Sequence, residues 1–146
     1  MRATVLTSVL VAFLSIVNVS ASEPKTKIYN NIETTENGCV KEYTFINLET
    51  LSPEKKSVYE YNADGLLVTK TEYKWNSEGG WTGFQKYEYE YNKNNKLTYL
   101  THTEWDNERN TWCESSKQFA HLYDTNGQLL TIEEIQTVNE NYMAQQ

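Results

Sequence analysis

The sequence predicts an all-β chain, an antiparallel meander of repeated hairpins, and three observations predict it. Tyr59-Glu60-Tyr61-Asn62-Ala63-Asp64-Gly65-Leu66-Leu67 returns as Tyr89-Glu90-Tyr91-Asn92-Lys93-Asn94-Asn95-Lys96-Leu97. It returns again, degraded, as His121-Leu122-Tyr123-Asp124-Thr125-Asn126-Gly127-Gln128-Leu129. The pair Trp75 and Trp81 recurs in the same phase as Trp105 and Trp112. From Lys55 onward polar and apolar residues alternate with period two and β-branched and aromatic types dominate, with helical spacing absent until the last dozen residues. A period of about thirty residues means stacked copies of one supersecondary unit, none of which buries its apolar side alone.

Strands are expected near 39–46, 56–61, 66–75, 81–91, 97–105, 111–123 and 128–136. Two kinds of turn alternate between them. Short turns fall at 63–65, 93–95 and 125–127, and longer polar loops at 76–80 and 106–110. Gly65 and Gly127 accept the positive φ that such hairpins demand, and Asn95 takes that place in the middle copy. Residues 55–136 therefore hold the repeats. Residues 22–54 read as a degenerate capping unit, with a hairpin signal at Asn37-Gly38 and Pro53 in a stretch that has no tight-turn signature. The polar tail 137–146 is expected to fray, with a short terminal helix as the alternative.

Turn length sets facing. Three-residue loops place Tyr61 opposite Leu67, Tyr91 opposite Leu97 and Tyr89 opposite Tyr99, and a Trp75–Trp81 pair places Tyr73 opposite Gly83. One face then collects Tyr59, Tyr61, Leu67, Tyr73, Trp75, Trp81, Tyr87, Tyr89, Tyr91, Leu97, Tyr99 and Trp105. The other collects Val68, Lys70, Glu72, Lys74, Phe84, Lys86, Glu88, Glu90, Leu100, His102 and Glu104, held by cross-strand lysine–glutamate pairs. In the third copy the tryptophan and the anchor tyrosine are one residue further apart. A β-bulge between Trp112 and Tyr123 is expected there, or else one of the two faces outward.

Residues 1–21 read as a secretory signal: Arg2, an apolar run from Val9 to Val19, and small residues at the close of Val19-Ser20-Ala21. The run is short for a bilayer span and is followed at once by Glu23, Pro24 and Lys25, so stable membrane insertion is not expected. The remainder, 22–146, has the length of one domain and is expected to be exported to the periplasm or beyond the cell. Loss of Arg2 takes the formal charge one unit below −7, and no basic stripe occurs. Nucleic acid is thereby excluded as a partner, since neutralising phosphates needs clustered lysine or arginine. In an oxidising compartment Cys39 and Cys113 either form one disulfide or sit as two small fillers.

No nucleophile motif, phosphate-cradling glycine loop or metal-spaced Cys/His pair occurs, so no catalytic residue, metal or cofactor is expected. His102 and His121 fall on different strands. The acid pair Glu88 and Glu90 shares a face, as two-carboxylate glycosidases require, but alternating glutamate on a strand is ordinarily solvated charge. The aromatic residues carry two readings: they are the repeat's own ladder in place of a core, or a flat platform on which sugar rings stack. For the second, the candidate residues are Trp75, Trp81, Trp105, Trp112, Tyr87, Tyr89 and Tyr99, with Asn76, Asp106, Asn107 and Asn110 beside them to bond hydroxyls.

The recurring Tyr-x-Tyr-Asn/Asp-x-Asp/Asn-Gly-x-Leu, the Trp-loop-Trp and the leader together resemble a group of small exported proteins of gut Bacteroidetes, a domain of unknown function. The likeness spans about residues 55–136. A looser similarity joins the Tyr-Asp-x-x-Gly element to the YD-repeat hairpin arrays of Rhs-type toxin shells. The first resemblance implies an open, largely single-layer antiparallel sheet and brings no catalytic residue with it. The function expected is a non-catalytic exported structural or protein-interaction module, with a protein partner or self-association. A glycan-binding module is the alternative.

Overall fold

A computed structural model describes residues 25–138, so the expected leader and residues 139–146 of the tail lie outside the described residues. Nine strands follow in order: β1 (Thr26–Thr35), β2 (Gly38–Asn47), β3 (Ser52–Asn62), β4 (Leu67–Asn76), β5 (Gly80–Tyr91), β6 (Leu97–Asp106), β7 (Thr111–Trp112), β8 (Ser115–Tyr123) and β9 (Leu129–Val138). They form one unclosed antiparallel meander in the order β1-β2-β3-β4-β5-β6-β8-β9, with β7 beside the end of β6. Among the described residues there is no helix. The expected strand at 111–123 is broken into β7 and β8. The hairpin signal at Asn37-Gly38 is correct, and β1, rich in Thr and Asn, is a ten-residue strand absent from the expected set.

The residue after each anchor tyrosine organises the short turn. Asn62 Oδ1 accepts the amides of Asp64 (3.1 Å) and Leu66 (2.9 Å), while Gly65 N–H donates to the Asn62 carbonyl at 3.0 Å. Asn92 and Asp124 repeat the arrangement with Lys96 and Gln128. The third turn residue is left-handed each time, at φ 78° for Gly65, 58° for Asn95 and 77° for Gly127. This is why the motif reads Tyr-Asn/Asp: the side-chain oxygen takes loop amides that the ladder does not use, two at Asn62 and Asn92 and one at Asp124.

At the turns the register is as expected, with Tyr61 opposite Leu67, Tyr91 opposite Leu97, Trp75 opposite Trp81 and Tyr73 opposite Gly83. Beyond them it is not. Glu60 pairs with Thr69, so Val68 is an extra residue, and Thr98, Leu130, Phe84 and Glu54 are extra in the same way. Each such bulge reverses which residues share a side. Tyr89 therefore opposes Leu100 rather than Tyr99, and Tyr99 opposes Glu90.

The expected single aromatic face is in consequence two faces. Tyr59, Tyr61, Leu67, Tyr87, Tyr89, Tyr91 and Leu97 share one side with Lys70, Glu72, Lys74, Leu100, His102 and Glu104. Tyr73, Trp75, Trp81, Tyr99 and Trp105 lie on the other side with Lys86, Glu88 and Glu90. These are called the tyrosine and tryptophan faces below. The irregularity expected between Trp112 and Tyr123 is present, and it is larger than one residue: Trp112 pairs with Trp105 and Lys117 with His102, with Cys113–Ser116 set against only Thr103 and Glu104. It absorbs the additional residue of the third copy, so that each tryptophan again lies on the face opposite its anchor tyrosine.

A single layer has no interior. Among the described residues no large side chain is fully buried, and the best-covered are the small Ser57, Thr71, Thr103, Ser116 and Ala120. Stability rests instead on the backbone ladder and on rows of side chains that cross the strands. Such a row of cations and rings runs Lys41, Tyr59, Lys70, Tyr87, His102, Lys117. Lys70 Nζ stands 5.8 Å from the Tyr59 ring centre and 5.4 Å from that of Tyr87, and the Tyr87 and His102 rings stack at 4.8 Å. The lysine–glutamate pairs are only partly cross-strand: Lys56–Glu42 (3.8 Å) and Lys117–Glu134 (4.0 Å) are, whereas Lys70–Glu72 (2.9 Å) and Lys86–Glu88 (3.2 Å) run along one strand. Cys39 lies at the short-turn end of β2 and Cys113 between β7 and β8, beside the long-loop end of β6, so strand spacing alone separates them by about 24 Å. Both are free thiols.

Candidate functional site

The tryptophans gather at the long-loop end of their face. Trp75 and Trp81 meet edge to face at 5.1 Å and 72°, and Trp105 and Trp112 at 5.0 Å and 88°. In each pair one indole stands on the other, so the four rings are not coplanar and form no flat platform. Trp105 reaches further: its ring covers Gly83 on β5, where a Cβ would overlap it. Its Nε1 is buried without a hydrogen-bond partner. Lys56 Nζ lies 5.0 Å from the Tyr73 ring and 5.1 Å from the Trp81 ring, and Lys86 Nζ lies 5.5 Å from Trp112. Of the four indoles, Trp75 is the most open, at 38% exposure.

Beside Trp112 the same face sinks into an open groove of about 530 Å³. Its lining includes Thr101, Thr103, Ser116 and Gln118, with Lys86 and Glu88 also present. Thr103 and Ser116 share a hydrogen bond at 2.7 Å, and Gln118 Nε2 donates to Thr101 Oγ1 at 3.3 Å. Sequence reasoning passed over these residues. The alternation Thr69, Thr71 and Thr101, Thr103 was the signal that marked a hydroxyl-bearing strip on one side of the sheet.

The remaining candidates are scattered. Tyr99, 38% exposed, shares the tryptophan face but sits at the short-turn end. Tyr87 and Tyr89 point to the tyrosine face, where Tyr87 is already stacked on His102. Of the loop residues named as hydroxyl partners, Asn76 and Asp106 are engaged locally, their side-chain oxygens accepting the amides of Glu78 (2.9 Å) and of Glu108 and Arg109 (2.9 and 3.0 Å).

On the tyrosine face the anchor hydroxyls do structural work. Tyr91 O–H donates to the Leu67 carbonyl at 2.7 Å, and Tyr123 O–H to the Leu97 carbonyl at 2.7 Å. Burial pushes the Tyr91 phenol up, and likewise that of Tyr89; for Tyr73 burial leads and the carboxylates of Glu60 and Glu42 add to it. Beside this row, Glu72 is gripped by Lys70 and Gln85. Burial pushes its carboxyl up, but the hydrogen bonds from Gln85 and Lys70 outweigh that and hold it below the usual carboxylate range. The hydrogen bond to Glu72 in turn raises the Lys70 ammonium. His102 Nε2 continues the chain to Gln85 Oε1 at 3.4 Å. The two histidines are not brought together, and no cluster of metal-ligating side chains occurs among the described residues.

The edges complete the surface. β1 exposes Ile28, Tyr29 and Ile32, and β9 exposes Leu130, Ile132 and Ile135. Among the described residues neither strand has a neighbour on its outer side.

Comparison with known proteins gives three results. A model described as a family of unknown function, DUF3836, matches residues 1–83, more than half of the chain. That span takes in the expected leader, the expected capping unit and the first Tyr-x-Tyr-Asn copy, and overlaps the repeat region over 55–83. No curated protein matches. Among solved structures the chain is similar to a DUF3836 family protein from Parabacteroides distasonis ATCC 8503, at 14% identity and a TM-score of 0.36, over 82% of this chain and 96% of that one.

Proposed function

Since the chain belongs to the DUF3836 family of unknown function, we propose from its own geometry that it is a non-catalytic exported module that works by contact with other protein. One observation carries the reading: the rings of both faces are largely committed to one another and to lysines, while among the described residues both outermost strands leave their outward backbone groups unpaired beside exposed apolar side chains. An unpaired strand edge is a template for another strand. The leader reading supports export. The test is size-exclusion chromatography with light scattering on the full chain, followed by capture from envelope extracts. Self-association or a saturable protein partner that protects edge amides from hydrogen exchange is expected; a strict monomer that captures nothing overturns the reading.

The groove beside Trp112 favours a second reading, a glycan-binding module. An indole at one end with threonine, serine and glutamine side chains along the floor is the chemistry that receives a pyranose. On this reading the ligand would rest on one tryptophan and a polar strip rather than on the seven-residue platform. Titration with neutral host and plant polysaccharides, followed by tryptophan fluorescence, tests it. A saturable change abolished by Trp112→Ala is the expected result, and no response across the panel retires it.

A further inference from the structure

β1 pairs with β2 without interruption from Thr26 opposite Asn47 to Thr35 opposite Gly38. The pairings of β2 with β3, β3 with β4, β4 with β5, β5 with β6 and β8 with β9 all carry a register shift. The β1 edge is therefore straight over ten residues, has no proline, and presents an unbroken outward row of backbone donors and acceptors. The β9 edge is bulged at Leu130.

The side chains of β1 are ordered so that the strand complements itself. About a twofold axis through Asn30, antiparallel pairing with β1 of a second copy sets Ile28 against Ile32 and Lys27 against Glu33, each twice. Faces agree as well. Ile28, Asn30 and Ile32 lie on the tyrosine side with Phe45, Tyr43 and Lys41, while Lys27, Tyr29, Asn31 and Glu33 lie on the other. Ile28 and Ile32 are 56% and 48% exposed, so the pairing covers apolar surface that the single chain leaves in water. Lys27 and Glu33 form no ion pair among the described residues, and Lys27 Nζ rests 4.7 Å from the ring of Tyr29 on its own strand. The corresponding pairings of β9 centred on Glu133 or Glu134 would bring like charges face to face.

We infer that the β1 edge is a homodimer interface, at which two copies of this chain join antiparallel about Asn30 into one continuous sheet. This rests on the protein-contact reading above and names the partner as a second copy.

The test is sedimentation velocity on the full chain as the cell processes it, across a roughly hundredfold range of concentration. Wild type is expected to show a reversible dimer. Lys27→Glu alone, or Glu33→Lys alone, sets like charges opposite each other at two places and is expected to weaken the dimer by about tenfold or more. Mixing the two single variants, or combining both substitutions in one chain, restores opposite charges and the dimer. Restoration on mixing also shows that both variants are folded. The inference is overturned by single variants that dimerise like wild type, or by a mixture and a double variant that stay as weak as the singles. A wild-type monomer that nevertheless captures an envelope protein overturns the dimer and leaves the contact reading standing; a monomer that captures nothing overturns both.

Discussion

Adjacent hairpins splay apart at both ends of the sheet, and the two ends are closed by different chemistry. At the short-turn end the β4–β5 ladder begins only at Thr69 opposite Glu88, and the β6–β8 ladder only at Tyr99 opposite Ala120. The carbonyls of Leu67 and Leu97 are left outside, and there the hydroxyls of Tyr91 and Tyr123 arrive at 2.7 Å. At the long-loop end the β5–β6 ladder stops at Gln85 opposite Glu104, and beyond it the ring of Trp105 lies over Gly83. One end is sealed by hydrogen bonds and the other by ring packing, with Trp105 Nε1 left unpartnered. A tyrosine reaches across a gap to a polar atom, whereas an indole needs the facing residue to have no side chain at all. This is why anchor tyrosines recur with the repeat while Gly83 belongs to one copy.

The comparison breaks most readily at its glycines. Gly38, at the short-turn end with φ 145°, has its absent side chain directed at the carbonyl oxygen of Tyr61. Gly38→Ala must displace backbone, and a loss of about 3 kcal/mol is expected in urea unfolding. Gly83→Ala meets the indole of Trp105, which yields by rotating. A smaller loss of about 2 kcal/mol is expected, together with a red shift in tryptophan fluorescence as the ring leaves its place. Equal losses would show that the ring cannot move.

Removing the tyrosine seal costs less. Tyr91→Phe keeps the ring and deletes one hydroxyl, with an expected loss of about 1 kcal/mol, and Tyr123→Phe the same. A double variant close to the sum, measured by the same unfolding, identifies the two as separate ties; a much larger loss would mark them as one cooperative unit.

The smallest effect is that of pH. The Glu72 carboxyl is held below its ordinary value in the folded chain, so its contribution is fully present above the unfolded value and is lost as pH falls through the folded one. With the Lys70–Glu72 pair only partly covered, the expected change is under about 1 kcal/mol. Stability measured between neutral pH and the acid end of the carboxylate range should fall less steeply in Glu72→Gln than in wild type; identical slopes would remove Glu72 from the account.

Much of this molecule was written locally. Asn62, Asn92 and Asp124 with their third-position Gly or Asn fix each short turn, and the turns fix Tyr61 opposite Leu67 and Tyr91 opposite Leu97. The missed strand β1 lacks the aromatic alternation that marked the others; it is held as a strand by ten paired positions on β2. The candidate platform residues are divided between two faces for a different reason. Tyr87 and Tyr89 were placed with the tryptophans by counting residues in twos, and Phe84 on β5 is the one residue too many that sends them to the opposite side. The groove needed neighbours from several strands, such as Thr103 and Ser116, which no spacing along the chain brings together.

The sequence by itself determined strands β2 to β6 and β9, the turn chemistry and the antiparallel order, because each depends on a few adjacent residues whose φ preferences and side-chain oxygens act locally. Only the tertiary structure decided which rings share a face. Where Val68, Phe84, Thr98 and Leu130 bulge depends on how neighbouring strands twist against one another, and each extra residue reverses the side on which all later residues of that strand lie.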